Sequence, residues 1–278
     1  MQMTYGFFGK LPSIGDFVSR GWSNVARDSL DRVVQEALTE LLASSFAGKE
    51  AIANAPCLAL KIRPGAVCES GFVIVVMPSE DRVGRRFPLC AGVQWSDDGP
   101  ARSTGWPSIE YVRALVACVQ KCVDAAVDPD GLCAEIASLG SPQQFGPTFG
   151  GLGGDETVPR LAGDTKLLRV QGPLSAMSPS LVALCTALGD SSDVLGFSLG
   201  STGEAQDFFV CRRIVSGNPL AAAFDGQWVE RGWTSYGSIA GAEDKPLEPF
   251  PNFDDDATQP HPRTIDRLSP QPDSLDKL

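Results

Sequence analysis

Histidine is almost absent from this 278-residue chain: the one instance, His261, stands between Pro260 and Pro262 near the C-terminus. A base there cannot be held within hydrogen-bond reach of a nucleophile, so histidine-dependent catalysis has no support. Long apolar runs are missing too. The longest of strand length, Phe72 to Met77, falls far short of the roughly 20 residues of a membrane-spanning helix. Positive charge is in deficit, with 23 Lys and Arg against 34 Asp and Glu and a net charge of −11. Such a chain repels nucleic acid and anionic lipid, which argues against either as a partner. Met1 to Lys10 contain no basic stretch followed by an apolar core, so no export signal is expected and the cytoplasm is the expected location.

Paired metal-ligand spacing is equally scarce. The eight cysteines (57, 68, 90, 118, 122, 133, 185 and 211) are scattered, and only Cys118 and Cys122 lie close together. A zinc site needs two such pairs, so the cysteines read as reduced core residues and neither metal nor cofactor is expected. Phosphate cradles fail on detail. Gly9-Lys10 is followed by Leu11 and preceded by Thr4 where a P-loop has its first glycine. Gly150-Gly151-Leu152-Gly153-Gly154 has Glu156 where a dinucleotide fingerprint needs its third glycine.

What is present is ordinary globular material, 43% hydrophobic and 21% charged. Composition changes near Gly237: residues 239–278 hold seven of the 21 prolines, nine acids and four bases. The expectation is one globular domain over residues 1–238 and a disordered acidic tail over 239–278. Within the domain, strands are expected at Tyr5–Lys10, Cys57–Ile62, Gly71–Met77, Phe87–Trp95, Leu167–Val170, Val194–Leu199 and Asp207–Ile214. A helix capped by Ser23 presents Leu30, Val33, Val34, Ala37, Leu38, Leu41 and Leu42 on one face. A second, after Pro107, presents Ile109, Val112, Val116, Val119 and Val123. Shorter helices are expected at Gly131–Ala137 and Pro179–Ala187, with a loop over Gly140–Gly154. Helices interspersed with hairpin-like strands predict an α/β fold, a mixed sheet covered by helices on its faces.

Gly196-Phe197-Ser198-Leu199-Gly200 fits the G-x-S-x-G pattern of a hydrolase nucleophile elbow. That elbow requires a helix after the serine and a histidine later. Another β-rich run follows Ser198 instead, so a serine hydrolase built on Ser198 is a minor alternative.

Two longer segments stand out. One is Gly9-Lys10-Leu11-Pro12-Ser13-Ile14-Gly15-Asp16-Phe17-Val18-Ser19-Arg20-Gly21, the other Pro78-Ser79-Glu80-Asp81-Arg82-Val83-Gly84-Arg85-Arg86-Phe87-Pro88-Leu89. Together they resemble the two signature blocks of the TagF family, also called ImpM, of type VI secretion system-associated proteins. The likeness extends to Trp95; beyond that it is one of size and element order. Many members carry a late Ser-Leu-Trp-Trp block, whereas the corresponding place here, Ser198-Leu199-Gly200-Ser201, has neither tryptophan.

The resemblance implies a single-domain three-layer α/β/α sandwich and a cytoplasmic, non-enzymatic, post-translational regulator. It would repress assembly or firing of the secretion apparatus by protein–protein binding, in some members through a forkhead-associated scaffold protein. Other members are fused to a PP2C-type phosphatase domain, which is not expected here. A structural or scaffold component of the apparatus is the alternative.

The blocks carry two readings of their own. In one they are structural: Ser79 caps a helical turn that Gly84 ends in a left-handed conformation, and Asp16 or Asp81 pairs with Arg20, Arg82 or Arg85 to pin two loops together. In the other, Lys10, Arg82, Arg85 and Arg86 form a basic docking patch on an acidic protein. The candidate site residues are therefore Gly9, Lys10, Pro12, Ser13, Gly15, Asp16 and Arg20, with Pro78, Ser79, Asp81, Arg82, Gly84, Arg85, Arg86, Phe87 and Pro88. The tail reads first as a solvating segment with no partner; in the alternative, Thr258, Thr264 and Ser269 are phosphorylation sites that a forkhead-associated domain would bind.

Overall fold

The computed structural model describes residues 3–43, 52, 54–96, 109–142, 167–171, 194–199, 205–211 and 218–236. The chain divides into two compact units, Met1–Glu243 and Asp244–Leu278, and every described residue belongs to the first. The strands are β1 (Met3–Lys10), β2 (Phe17–Arg20), β3 (Cys57–Ile62), β4 (Ser70–Met77), β5 (Leu89–Ser96), β6 (Leu167–Gln171), β7 (Val194–Leu199), β8 (Ala205–Cys211) and β9 (Thr234–Tyr236). The helices are α1 (Asn24–Ala43), α2 (Ile109–Asp124), α3 (Pro129–Ser138) and α4 (Asn218–Asp225).

These strands form one sheet in the order β2-β1-β5-β4-β3-β7-β8-β6-β9. It is mixed: β6 and β9 run parallel, and the other pairings are antiparallel. Helices cover both faces, which makes the molecule a three-layer α/β/α sandwich. Strand alternation sorts the side chains between the two cores. Along β4, Val73, Val75 and Met77 join Tyr111, Leu115 and Val119 of α2 and Leu132 and Ile136 of α3. Phe72, Ile74 and Val76 join Leu30, Val34 and Leu41 of α1 and Ala221 to Phe224 of α4. A strand buried on both faces reads as an unbroken apolar run, which is why Phe72 to Met77 looks as it does.

Helix starts follow local chemistry. The Ser23 hydroxyl accepts a hydrogen bond from the Ala26 amide at 3.3 Å, the expected cap of α1. Asp128 caps α3 by accepting from the amides of Asp130 and Gly131, and Pro129 occupies the first turn.

Three elements were not expected from the sequence, and a fourth, β5, starts later than expected. β2 is a four-residue edge strand inside what reads as a loop. α4 is only eight residues long, and its apolar run Leu220 to Phe224 is buried throughout, too short a run to tell a helix from a strand in the sequence. β9 has only three residues. β5 begins at Leu89, after Phe87 and Pro88. The expected helix at Pro179–Ala187 and the disordered tail over 239–278 lie outside the described residues, as does nearly all of the expected loop Gly140–Gly154.

Candidate functional site

Topology alone brings the two conspicuous segments together. β5 lies between β1 and β4 and runs antiparallel to both, so β1 and β4 end on the same side of the sheet. The turn leaving β1 and the turn leaving β4 are consequently neighbours. The second turn is a small hairpin: Asp81 N–H donates to the Arg85 carbonyl at 3.0 Å, Gly84 N–H to the Asp81 carbonyl at 2.9 Å, and Glu80 bridges Arg86. Gly84 has φ +79°, the left-handed conformation expected of it.

Asp81 organises this hairpin. Its Oδ1 accepts from the Val83 amide at 3.0 Å and the Arg85 amide at 2.9 Å. Its Oδ2 meets Lys10 Nζ at 2.8 Å and Arg85 Nε at 2.7 Å. The Asp81 side chain is fully buried and that of Lys10 only 6% exposed. Burial would raise the Asp81 pKa, but the Lys10 ammonium, the Arg85 amide and guanidinium and the Val83 amide override it and hold the carboxyl well below its usual range. The Lys10 ammonium also sits 5.1 Å from the centroid of the Phe17 ring, which packs edge-on against Phe87 at 4.6 Å.

Other bonds tie the first segment down. Ser79 Oγ donates to the Lys10 carbonyl at 2.8 Å, Arg82 N–H to the Ile14 carbonyl at 3.0 Å, and Arg85 Nη2 to the Gly15 carbonyl. Ser13 Oγ donates to the Val127 carbonyl at 2.9 Å, just before α3, and Arg20 Nε meets Asp130 Oδ1 at 3.0 Å. Gly9 pairs with Val18 between β1 and β2. Pro12 and Pro78 are half-buried and Pro88 is buried.

Several sequence readings are corrected by this geometry. Ser79 caps no helical turn, because the segment is a hairpin and Asp81 supplies its side-chain caps. Lys10 belongs to no exposed basic patch; it is the buried counter-ion of Asp81. The Asp16 carboxylate accepts from the Phe17 amide at 2.8 Å, while Arg20 pairs with Asp130, a partner the sequence reading did not contain. What remains on the surface is Arg82, Arg85 and Arg86, together with Val83 at 66% and Phe17 at 52% exposure. Neither apolar residue was singled out from sequence, although both lie inside the signature segments.

Ser198 is not a nucleophile. It lies within β7, paired with Leu58 of β3 on one side and Asp207 of β8 on the other, and is 1% exposed. Its Oγ donates to Asp207 Oδ2 at 3.0 Å, and Asp207 is ion-paired with Arg169 at 2.8 Å. The Arg169 guanidinium stacks 5.3 Å from the centroid of Trp228. Gly196 has a packing reason as well: a Cβ there would lie 2.2 Å from Phe209 Cζ. The glycine and serine of the apparent elbow are sheet-packing residues. Among the described residues, no group of three or more His, Cys, Asp or Glu side chains is arranged to hold a metal ion. Nor is any described helix long and apolar enough to cross a membrane.

Residues 6–139, which contain both segments, match the TagF N-terminal domain, type VI secretion system-associated. These residues, just under half of the chain, assign it to the TagF (ImpM) family of type VI secretion system-associated proteins through its N-terminal domain. A similar solved structure is the crystal structure of PA0076 from Pseudomonas aeruginosa PAO1, determined at 2.05 Å. It is 21% identical, with a TM-score of 0.54, and the match covers 80% of this chain and 94% of that one. At this identity the likeness speaks for the fold. No curated protein matches the chain.

Proposed function

We propose that the chain is a post-translational repressor of type VI secretion, acting in the cytoplasm by binding a component of the apparatus. A forkhead-associated scaffold protein is the partner that the family resemblance suggests. The observation that carries this reading is the convergence of both signature segments on one rigid surface, organised by the Lys10–Asp81 pair within the TagF N-terminal domain. A buried charge pair with its hydrogen bonds satisfied holds the exposed arginines of the same hairpin in place, and such preorganisation favours binding. No described group is placed to do chemistry there, and Asp81 is fully engaged in structural bonds.

Titrating the purified full chain with the forkhead-associated scaffold of its own secretion system tests the partner. Saturable binding that weakens when Arg82, Arg85 and Arg86 are reversed in charge is expected. Undiminished binding by that variant would move the contact to another surface, and no binding would remove this partner.

A further inference from the structure

The hairpin between β4 and β5 carries three arginines within five residues, but they are not equivalent. Arg85 is committed to Asp81 and to the Gly15 carbonyl, and Arg86 stands opposite Glu80 across the bridge. Arg82 has its backbone fixed by the bond to Ile14, while its exposed guanidinium lies over Gly15, with Nη2 3.6 Å from where a Cβ would stand. That guanidinium makes no ion pair or side-chain hydrogen bond among the described residues. Val83 follows Arg82 in the hairpin, and Phe17 follows Gly15 by two residues; they are two of the five large apolar side chains most exposed among the described residues. The Phe17 ring is anchored by Phe87 and Lys10. An arginine held through its backbone, in the same pair of turns as exposed aliphatic and aromatic side chains, has the composition of an interface surface.

The neighbouring sheet edge offers a different kind of contact, and it is blocked. Phe17 N–H of edge strand β2 donates to Asp16 Oδ1, and the Ser19 carbonyl accepts from Arg20 Nη1 at 2.9 Å. Side chains of the strand's own segment thus occupy backbone groups that strand addition would need. Docking here falls to side chains on the hairpin.

We propose that Arg82, Val83 and Phe17 form the docking point for an acidic segment of a partner protein, one that carries an aliphatic or aromatic anchor residue. This rests on the regulator reading above and names the chemistry of its partner. Charge complementarity selects the occupant. In a chain of net charge −11, an acidic segment is repelled by most of the surface, so local attraction to an unpartnered guanidinium sets both position and specificity.

The test is a titration of the isotope-labelled full chain, followed by NMR, with a synthetic peptide of Asp and Glu flanking a central Leu-Phe pair. A control peptide carries Asn and Gln at the acidic positions. Shifts confined to residues 14–17 and 82–86 are expected, with binding weakened about tenfold or more by the amide peptide and by Arg82→Glu. Val83→Ser, which leaves charge untouched, should also weaken binding. Because both side chains are exposed, an unchanged melting temperature certifies the fold of each variant. Equal binding by Arg82→Glu, shifts located elsewhere, or no shift at all overturns the docking proposal. The regulator reading fails by a separate observation, a secretion output that does not rise when the chain is deleted from its cell.

Discussion

Lys10 and Asp81, 71 positions apart in the chain, meet at 2.8 Å inside the protein and join the end of β1 to the hairpin that follows β4. Each of the two conspicuous sequence segments supplies one charge. Asp81 is the counter-ion that makes the buried charge of Lys10 tolerable, which is why the segments read as a pair.

Replacing Lys10 with Met is expected to cost about 2 kcal/mol, because it removes the buried cation of Asp81 and leaves only the more exposed Arg85 guanidinium to balance the carboxylate. Urea unfolding measures this. Arg20→Ala provides the contrast, since its ion pair with Asp130 is exposed on both sides and should change stability by less than about 1 kcal/mol. Similar losses for the two variants would contradict the buried role of Lys10.

Acid should weaken the same contact in a defined window. Asp81 is held ionised in the folded protein well below the usual carboxylate range, while in the unfolded chain it titrates near its ordinary value of about 3.9. Between those limits the unfolded state binds the extra proton, so stability falls as pH falls. The contribution of Asp81 is complete above about pH 5 and is lost progressively below it. Urea midpoints measured from pH 6 to pH 3 should fall more steeply for the native sequence than for Asp81→Asn; parallel curves would refute this.

Gly196→Ala places a methyl group 2.2 Å from Phe209 Cζ and 2.8 Å from Leu60 Cδ2. Overpacking of this kind is expected to cost about 1–3 kcal/mol. Trimming the obstructing ring with Phe209→Leu in the same chain should recover part of that loss, so the two changes should be non-additive in thermal melts. Strict additivity would show that the glycine is needed for some other reason.

Ser198→Ala is expected to lower stability by about 1 kcal/mol through loss of the hydrogen bond to Asp207, which keeps its ion pair with Arg169. Esterase assays of the native chain and the variant should be indistinguishable from buffer. Turnover by the native chain that Ser198→Ala abolishes would restore the hydrolase reading.

Much of the layered fold is legible in the sequence because the periodicity of α1 and α2 and the double-sided burial of β3 and β4 leave clear patterns. β2, α4 and β9 are not, since they are short and their conformation comes from neighbours. β2 exists because β1 offers it a partner. In the site, the importance of Asp81 and Arg85 and their four-residue spacing are visible in the chain. The burial of Lys10 is not, because it depends on β1 and β4 ending together, a consequence of sheet order. The same holds for Arg20, whose partner Asp130 lies 110 residues away. Gly196 and Ser198 mislead for a related reason: a short pattern records residue sizes without saying whether a ring or a substrate fills the space.

A repressor that acts by binding, as proposed here, restrains type VI secretion in the cell. The most direct measurement is the amount of substrate secreted by cells lacking the chain, and by the same cells supplied with the native sequence. Secretion is expected to rise on deletion and to return to its original level on complementation. Loss of secretion on deletion would contradict it and make the chain a building part of the apparatus.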